Sequence, residues 1–423
     1  MTVLSLGIDL GTSGIRSAVV DEHGAVISTA RASYAPQNPD SIDANSWWNG
    51  VVECLTQQIA TLRTAELDPT DIRHIAVDGT SGTMVLTDLD LVPVTRALMY
   101  NSDGFTREAE RIAAHAPNPH ITRGTGSALG RMMRLQSEDT DNRATHMLHQ
   151  ADFITAKLIG CGRFSDHNNS LKSGFDPVTN RWPDWAADVG VRTELLPQVK
   201  PAGAALSSIS PHWAAQFDLS PDTMIHAGTT DSIAAFLACT PLKSGAAVTS
   251  LGTTLAIKLL SPVRIDAPEL GLYSHRLGDQ WLVGGASNTG GGVLLHFFTT
   301  AQIVELSKQI DPNQPSELNY YPLIKPGERF PINDPSLAPQ LSPRPNCDVA
   351  FLHGLLESMA RIEATCYEAI EKLGAPKPHI IFTAGGGAAS QVWTAIRKRV
   401  IGINIQTPAL TEASVGVALL SRI

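Results

Sequence analysis

Residues 6–20 read LGIDLGTSGIRSAVV and residues 247–260 read AVTSLGTTLAIKLL. Each sets two strand-like apolar runs on either side of a Leu-Gly-Thr turn that continues with Ser or Thr. Such a pair of runs joined by a Gly/Thr turn predicts a β-hairpin. The turn glycines, Gly11 and Gly252, lie 241 residues apart, so one hairpin heads each half of the chain and two related domains are expected. Working outward, residues 46–62 are expected to form a helix capped by Asn45 or Ser46, with Trp47, Val51, Leu55 and Ile59 near helical spacing. Residues 72–78 form a short apolar strand that runs into Gly79-Thr80-Ser81-Gly82-Thr83. Helices are expected at 106–115 and 151–159. A strand at 224–227 ends in Gly228-Thr229-Thr230-Asp231 and feeds a helix through Leu237. A long amphipathic helix over 355–373 precedes a strand at 380–382 ending in Gly385-Gly386-Gly387, and a small-residue helix covers 412–420. Strands and helices alternate throughout, so the class is α/β.

The chain has 423 residues, which at roughly 150 per domain implies two or three domains. With 43% hydrophobic and 17% charged residues it is too apolar for disorder and long enough to bury a large core without metal or disulfide staples. A formal net charge of −9 without a basic block argues against nucleic acid and anionic membranes as partners. The five cysteines, at 54, 161, 239, 347 and 366, form no CxxC pair, which points to reduced thiols and a cytoplasmic location. The first apolar stretch is broken by Asp9 and lacks a basic start, so no signal peptide is read, and no apolar run is long enough to span a membrane. Residues 311–345 hold nine of the 27 prolines and read as an extended surface connection inside the second domain, where Tyr320, Tyr321 and Phe330 need somewhere to pack. The sequence leaves the oligomeric state open.

Four turns end a strand in small residues: 9–14, 79–83, 252–254 and 385–387. Glycine lets backbone approach a ligand closely, and free N–H groups with Thr/Ser hydroxyls suit phosphate oxygens. Other phosphate and nucleophile fingerprints are missing. No lysine follows a glycine, which excludes a Walker loop, and Gly124-Thr125-Gly126 precedes Gly130 one residue too far for a dinucleotide site. Both Gly-Thr-Ser-Gly tetrads close one residue too early for a nucleophile elbow, and the thirteen histidines form no visible zinc set. Carboxylates beside phosphate loops remain. Asp9 could hold magnesium or close an Asx-turn on its own backbone. Asp231 could do chemistry or simply cap a helix. Ser81 could serve its turn, and Tyr100 could belong to the core.

At these residues the chain resembles the FGGY carbohydrate kinases over nearly its whole length. Gly7-Ile8-Asp9-Leu10-Gly11-Thr12-Ser13 is similar to the family's first phosphate motif, and residues 250–254 to its second. Asp152-Phe153-Ile154, Leu158, Gly160, Ser165-Asp166 and residues 168–170 resemble a mid-domain signature. GASNTGGG at 285–292 resembles a connecting segment, Pro322 with Gly327-Glu328-Arg329 and Pro331 a P…GER.P stretch, AGGGAASQVW at 384–393 the adenosine motif, and Glu412-Ala413 with Gly416 the closing helix. Finer details look most like the short D-ribulokinase branch of cyanobacteria and plants: Ser-Gly-Thr at 81–83, Met99-Tyr100-Asn101, GTTDS at 228–232 and ASNTGG at 286–291.

The resemblance implies two ribonuclease-H-like domains of the actin/hexokinase superfamily with a nucleotide cleft between them. The first domain would span residues 1–238 and the second 239–410, with a helix in 411–423 returning to the first. It implies ATP and Mg2+, with Asp9 placing the metal and Gly11, Thr12 and Ser13 approaching the γ-phosphate. Gly252 and Thr253 would hold the β/γ-phosphates, Gly291 and Gly292 line the nucleotide path, and Gly385, Gly386 and Gly387 face the α-phosphate and adenosine. Asp231 takes the catalytic-base position, and Ser81, Asp231 and Tyr100 would touch the sugar. Where the family commonly has an Asn that contacts adenine, this chain has Ser390, whose shorter hydroxyl reaches less far. The expected activity is transfer of phosphate from ATP to the terminal hydroxyl of a ketose, D-ribulose giving D-ribulose 5-phosphate. D-xylulose, sedoheptulose or another polyol is the alternative acceptor. An actin-like ATP switch and a non-catalytic sugar-binding regulator are alternatives of another class.

Overall fold

The computed structural model describes residues 3–34 and 41–423. The chain divides into two units. Unit 1 comprises Met1–Ala238, Arg276–Gly278 and Leu410–Ile423, and unit 2 comprises Cys239–His275 and Asp279–Ala409.

Unit 1 is built on strands β1 (Leu4–Leu10), β2 (Gly14–Val20), β3 (Val26–Ser33), β4 (Ile72–Gly79), β5 (Met84–Thr87), β6 (His146–His149), β7 (Phe164–Asp166), β8 (Gln198–Lys200), β9 (Ala205–Ser208), β10 (Met224–His226) and β11 (Thr229–Thr230). Its main sheet has the order β3-β2-β1-β4-β10-β9, with β11 also paired to β4. The expected hairpin is present: β1 and β2 are antiparallel, with Leu10 opposite Ile15. β4 lies parallel to β1 on its other side. Every residue of β1 is buried because helices cover both faces of the sheet. On one face α1 (Asn45–Thr64) sets Trp47, Val51 and Leu55 against Leu4, Leu6 and Ile8. On the other, Val415 and Ala418 of the chain's last α-helix (Ala413–Ala418) meet Ala18 and Val20. Close approach there demands glycine, since a Cβ on Gly7 would stand 2.0 Å from the Ser414 carbonyl oxygen. The cap of α1 differs from expectation. Neither Asn45 nor Ser46 caps it; Asp43 does the local bonding, its Oδ1 accepting from Asn45 N at 2.9 Å. The remaining helices of this unit are α2 (Thr106–His115), α3 (Ala128–Glu138), α4 (Gln150–Ile159), α5 (His167–Lys172), α6 (Pro211–Gln216) and α7 (Asp231–Cys239), the last crossing into unit 2.

Unit 2 repeats the plan. Its strands are β12 (Ala246–Leu251), β13 (Leu255–Ser261), β14 (Tyr273–Leu277), β15 (Gln280–Ser287), β16 (Ile380–Ala384) and β17 (Ile405–Gln406), in the order β14-β15-β13-β12-β16-β17. The β12–β13 hairpin is antiparallel, and β16 runs parallel to β12 as β4 does to β1. Helices α8 (Gly291–Phe297), α9 (Thr300–Ser307), α10 (Asp348–Lys372) and α11 (Gln391–Ile401) belong to this unit, and the chain closes with α12, the Ala413–Ala418 helix. Residues 311–345 have no regular helix or strand, yet they are not merely superficial: Tyr320, Leu323 and Phe330 are buried.

Candidate active site

In unit 1 the candidate side chains gather where β1, β4 and β11 end. Asp9 of β1 lies opposite Asp78 of β4, and Thr229 of β11 lies on the other side of Asp78. Parallel strands deliver their C-terminal ends to one sheet edge, so Asp9, Asp78 and Asp231, just past β11, converge there. Asp9 is buried and its Oδ2 accepts from Arg16 Nη1 at 3.3 Å; among the described residues it makes no Asx-turn bond to neighbouring backbone. Asp78 is fully buried, and among the described residues no N–H or hydroxyl group donates to either carboxyl oxygen. Burial first, then the charge of Asp9 and a shared carboxyl–carboxyl hydrogen bond with it, then the charge of Asp231, drive its carboxyl well above the usual carboxylate range. Burial, Asp9 and Asp78 likewise push the Tyr34 phenol up. Asp231 opens α7, and its Oδ1 accepts from Ser232 N at 2.6 Å. Gly11, Thr12 and Ser13 form the β1–β2 turn, with Gly11 N donating to Gly14 O at 3.0 Å and Thr12 and Ser13 exposed.

Behind this edge a chain of hydrogen bonds sets the 79–83 turn. Thr80 N and Thr80 Oγ1 both donate to Gln150 Oε1, at 3.0 and 2.7 Å. Thr80 and Thr83 hydroxyls meet at 2.6 Å, and Tyr100 N donates to Thr83 Oγ1 at 2.9 Å. The two threonines therefore carry the turn, and the Ser81 hydroxyl is left buried without a partner, as is Gln150 Nε2. Tyr100 is not a core residue: it is 44% exposed. β11 is clamped from α5, where Asn168 Nδ2 donates to Thr229 Oγ1 at 2.9 Å and Asn169 Nδ2 to Thr229 O at 3.1 Å. Asn169 is itself fixed by Asp166, whose carboxyl burial and nearby Asp152 raise to about 7.

Unit 2 holds a pocket of about 790 Å³, mostly apolar, lined among others by Gly252, Thr253, Gly291, Leu294, Ile303, Val304, Gly386, Gly387, Ser390 and Trp393. That size lies within the roughly 300–1,000 Å³ usual for small-molecule sites. Gly291 N donates to Gly252 O at 2.8 Å and Gly292 N to Thr253 O at 3.0 Å. These two glycines thus spend their N–H groups on holding the 252–254 turn, and Gly292 is not among the lining residues. Gly290, at φ 142°, has no room for a side chain, because a Cβ would lie 2.7 Å from the Thr254 carbonyl carbon. Gly385 has φ 83° and a Cβ there would meet Leu251 O at 2.7 Å, whereas Gly386 faces open space. Ser390 Oγ accepts from Trp393 N at 3.2 Å and so caps α11.

Residues 4–238 match the N-terminal domain, and residues 247–422 the C-terminal domain, of the FGGY family of carbohydrate kinases. This chain is an FGGY carbohydrate kinase. Among curated relatives, the xylulose kinase of Bacillus subtilis is 24% identical over 96% of this chain and 86% of its own length. The gluconokinase of the same species is 22% identical over 98% and 86%. A solved xylulose kinase from Rhodospirillum rubrum superposes with a TM-score of 0.85 at 18% identity, covering 99% of this chain and 89% of that one, which shows the actin/hexokinase-like fold. As a member of this family the chain is a phosphotransferase that acts on sugars. Among the described residues no helix is long and apolar enough to cross a membrane.

Several residues beside the candidate site of this FGGY kinase escape a reading of motifs. Asp78, Gln150 and Arg16 carry no turn signal and become visible only when parallel pairing sets β4 beside β1. One clue was available: Asp78 is a carboxylate at the end of an apolar strand, where burial needs a reason.

Proposed function

We propose that this kinase transfers phosphate from ATP to the terminal hydroxyl of D-ribulose, yielding D-ribulose 5-phosphate. The observation that carries the reading is the convergence of Asp9, Asp78 and Asp231 at one sheet edge beside the 79–83 turn. Asp231 is the general base: it sits at the mouth of α7, half-exposed, while Asp78 is sealed in. Transfer to a hydroxyl passes through a loose transition state, so the chain's task is to orient the hydroxyl, accept its proton at the Asp231 carboxylate and exclude water. Ser81 and Tyr100 lie on the loops joined through Thr83 and are the sugar contacts. In the unit 2 pocket, the N–H groups of Thr253, Gly386 and Gly387 make no turn or loop backbone bond among the described residues, which suits phosphate oxygens, and the apolar wall of Leu294, Ile303 and Val304 suits a base. Gly291 and Gly292 act by shaping the 252–254 turn.

Asp9 fits a magnesium ion, since a hard cation seeks carboxylate oxygen and no N–H or hydroxyl group among the described residues donates to the neighbouring Asp78 oxygens. Among the described residues no group of three or more His, Cys, Asp or Glu forms a cage on its own, so such an ion would draw its other ligands from phosphate and water. Bound there, it would supply positive charge to the transferring phosphate. The protein itself is read as cytoplasmic.

The likeness to xylulose kinases favours a second acceptor, D-xylulose. The test is a panel of D-ribulose, D-xylulose, sedoheptulose, gluconate and glycerol with ATP and magnesium. The highest kcat/KM is expected for D-ribulose. A higher value for D-xylulose would replace the acceptor, and no sugar-dependent ADP release at all would remove the kinase reading.

A further inference from the structure

Arg131 lies in the first turns of α3, after Ser127 caps the helix by accepting from Gly130 N at 2.9 Å. Its side chain is buried, and among the described residues the guanidinium bonds backbone carbonyls alone. Nη1 donates to Gly82 O at 3.1 Å; Nη2 donates to Ser102 O at 3.1 Å, to Gly126 O at 2.8 Å and to Tyr100 O. Nε is buried without a partner, and the Phe105 ring lies 5.9 Å from Cζ. Among the described residues no carboxylate stands within ion-pair distance of it. One turn along the same helix, Arg134 shows the usual solution, pairing with Glu108 at 2.7 Å. Burial draws the Arg131 guanidinium down to about 10, so it remains a cation at neutral pH.

We propose that Arg131 is the positioning residue of the sugar pocket: one buried fork that draws three loops, at residues 82, 100–102 and 126, into the register that decides which hydroxyl stereochemistry fits. This rests on the reading above, in which Ser81 and Tyr100 contact the sugar. The first is the neighbour of Gly82, and the second contributes its own carbonyl to the fork. A partner carboxylate would have neutralised the charge with one side chain. Carbonyls from three segments instead make the cation organise backbone, and a planar guanidinium can reach several acceptors where an ammonium cannot. Gly82 is matched to it. At φ 82° only glycine is comfortable, and a Cβ there would stand 3.0 Å from Nη1.

The test compares wild type, Arg131→Lys and Arg131→Met on D-ribulose and D-xylulose, epimers that differ in one hydroxyl. In Arg131→Met the sugar KM should rise by roughly tenfold or more, and the ratio of kcat/KM between the epimers should shrink by a similar factor, since discrimination depends on fixed hydroxyl partners. The KM for ATP should stay within about twofold, because a change confined to uniform sugar binding leaves nucleotide binding alone. Arg131→Lys should fall between, as it keeps the charge and loses the fork. A lower melting temperature with unchanged sugar KM and epimer ratio would make Arg131 a structural residue and overturn the proposal. If Arg131→Met does not fold, an unchanged ratio in Arg131→Lys overturns it equally. A wild type active on one epimer but insensitive to these changes sinks only this inference; a wild type active on neither sinks the acceptor reading, and this inference with it.

Discussion

Asp231 and Glu328 show how differently a carboxylate is used in the two units. Asp231 is half-exposed at the start of α7. Replacing it with Asn keeps shape and some hydrogen bonding but removes the carboxylate proposed as proton acceptor, so sugar-dependent turnover should fall by about 10²–10⁴-fold. Binding of ATP, followed by titration calorimetry, should stay near normal; a variant retaining more than about a tenth of wild-type kcat would make Asp231 a helix-start residue and no base. Glu328 is buried and accepts four donors: Ser287 Oγ at 2.6 Å, Asn288 N and Arg329 N at 2.7 Å, and Tyr321 OH at 2.9 Å. It therefore pins the proline-rich stretch to the segment that leads into Gly290, Gly291 and Gly292. Hydrogen bonds to a charged group are worth about 1.5–3 kcal/mol each. Glu328→Gln should loosen the 287–292 segment and raise the KM for ATP several-fold while sugar KM barely moves. Equal changes in both constants would refute that division. Asp9 and Asp231 were legible as residues beside glycine turns, whereas the Glu328 side chain was legible only as part of a motif, because its four donors come from three separate stretches of chain.

Hairpins and the strands at 72–78 and 380–382 were readable in the sequence because apolar runs and glycine turns are local signals, whereas the parallel pairing of those strands was not. Longer-range packing hid the rest. α10 begins at Asp348, seven residues before the expected start at 355, because Gly354 reads as a break in a helix. Its glycine has a tertiary reason instead: a Cβ there would lie 2.8 Å from both Leu318 Cβ and Tyr320 Cε2. α3, unseen behind Gly124 and Gly126, carries Arg131. Elements in unit 2 are bolted by a fully buried ion pair: Arg397 of α11 binds Glu363 of α10 at 2.6 and 2.7 Å and Thr383 of β16 at 2.7 Å, while Thr249 of β12 donates to Glu363 at 2.5 Å. β12 and β16 end at the two glycine loops of the pocket, so this bolt fixes the loops' roots. Arg397→Met strands a buried carboxylate and should cost about 3–5 kcal/mol in denaturant unfolding, whereas the double variant with Glu363→Met should recover much of that. A single variant within about 1 kcal/mol of wild type, well below that range, would show the pair to be dispensable.

At the scale of the molecule, six half-buried or buried histidines contribute to the response to acid. Burial lowers the proton affinity of His74, His120, His146, His167, His226 and His353; His74 Nδ1 and His226 Nε2 meet at 3.0 Å, and His74 also feels Arg422. Unfolded, each takes a proton near pH 6.5. Below that value the unfolded chain binds more protons than the folded one, so stability is full above about pH 6.5 and is lost as pH falls through the lowered folded values. Asp78 and Asp166 act oppositely, their raised carboxyls favouring the folded state as pH falls, so they offset part of the loss that the histidines cause. Melting temperature should therefore drop between about pH 6.5 and 5, and His74→Gln with His226→Gln should flatten that drop; a melting temperature that rises in the same window would refute the balance. The two-unit plan also has an order in time. Unit 1 is closed by Leu410–Ile423, where a Cβ on Gly416 would stand 1.8 Å from Ala234 O, while unit 2 ends at Ala409. A ribosome adding about 5–20 residues per second thus releases all of unit 2 before the helix that completes unit 1 has emerged. The half made first must wait, with Ala18 and Val20 bare on one face of its sheet, until the half made second is whole, and a nascent chain stalled near residue 409 would be the species that chaperones recognise.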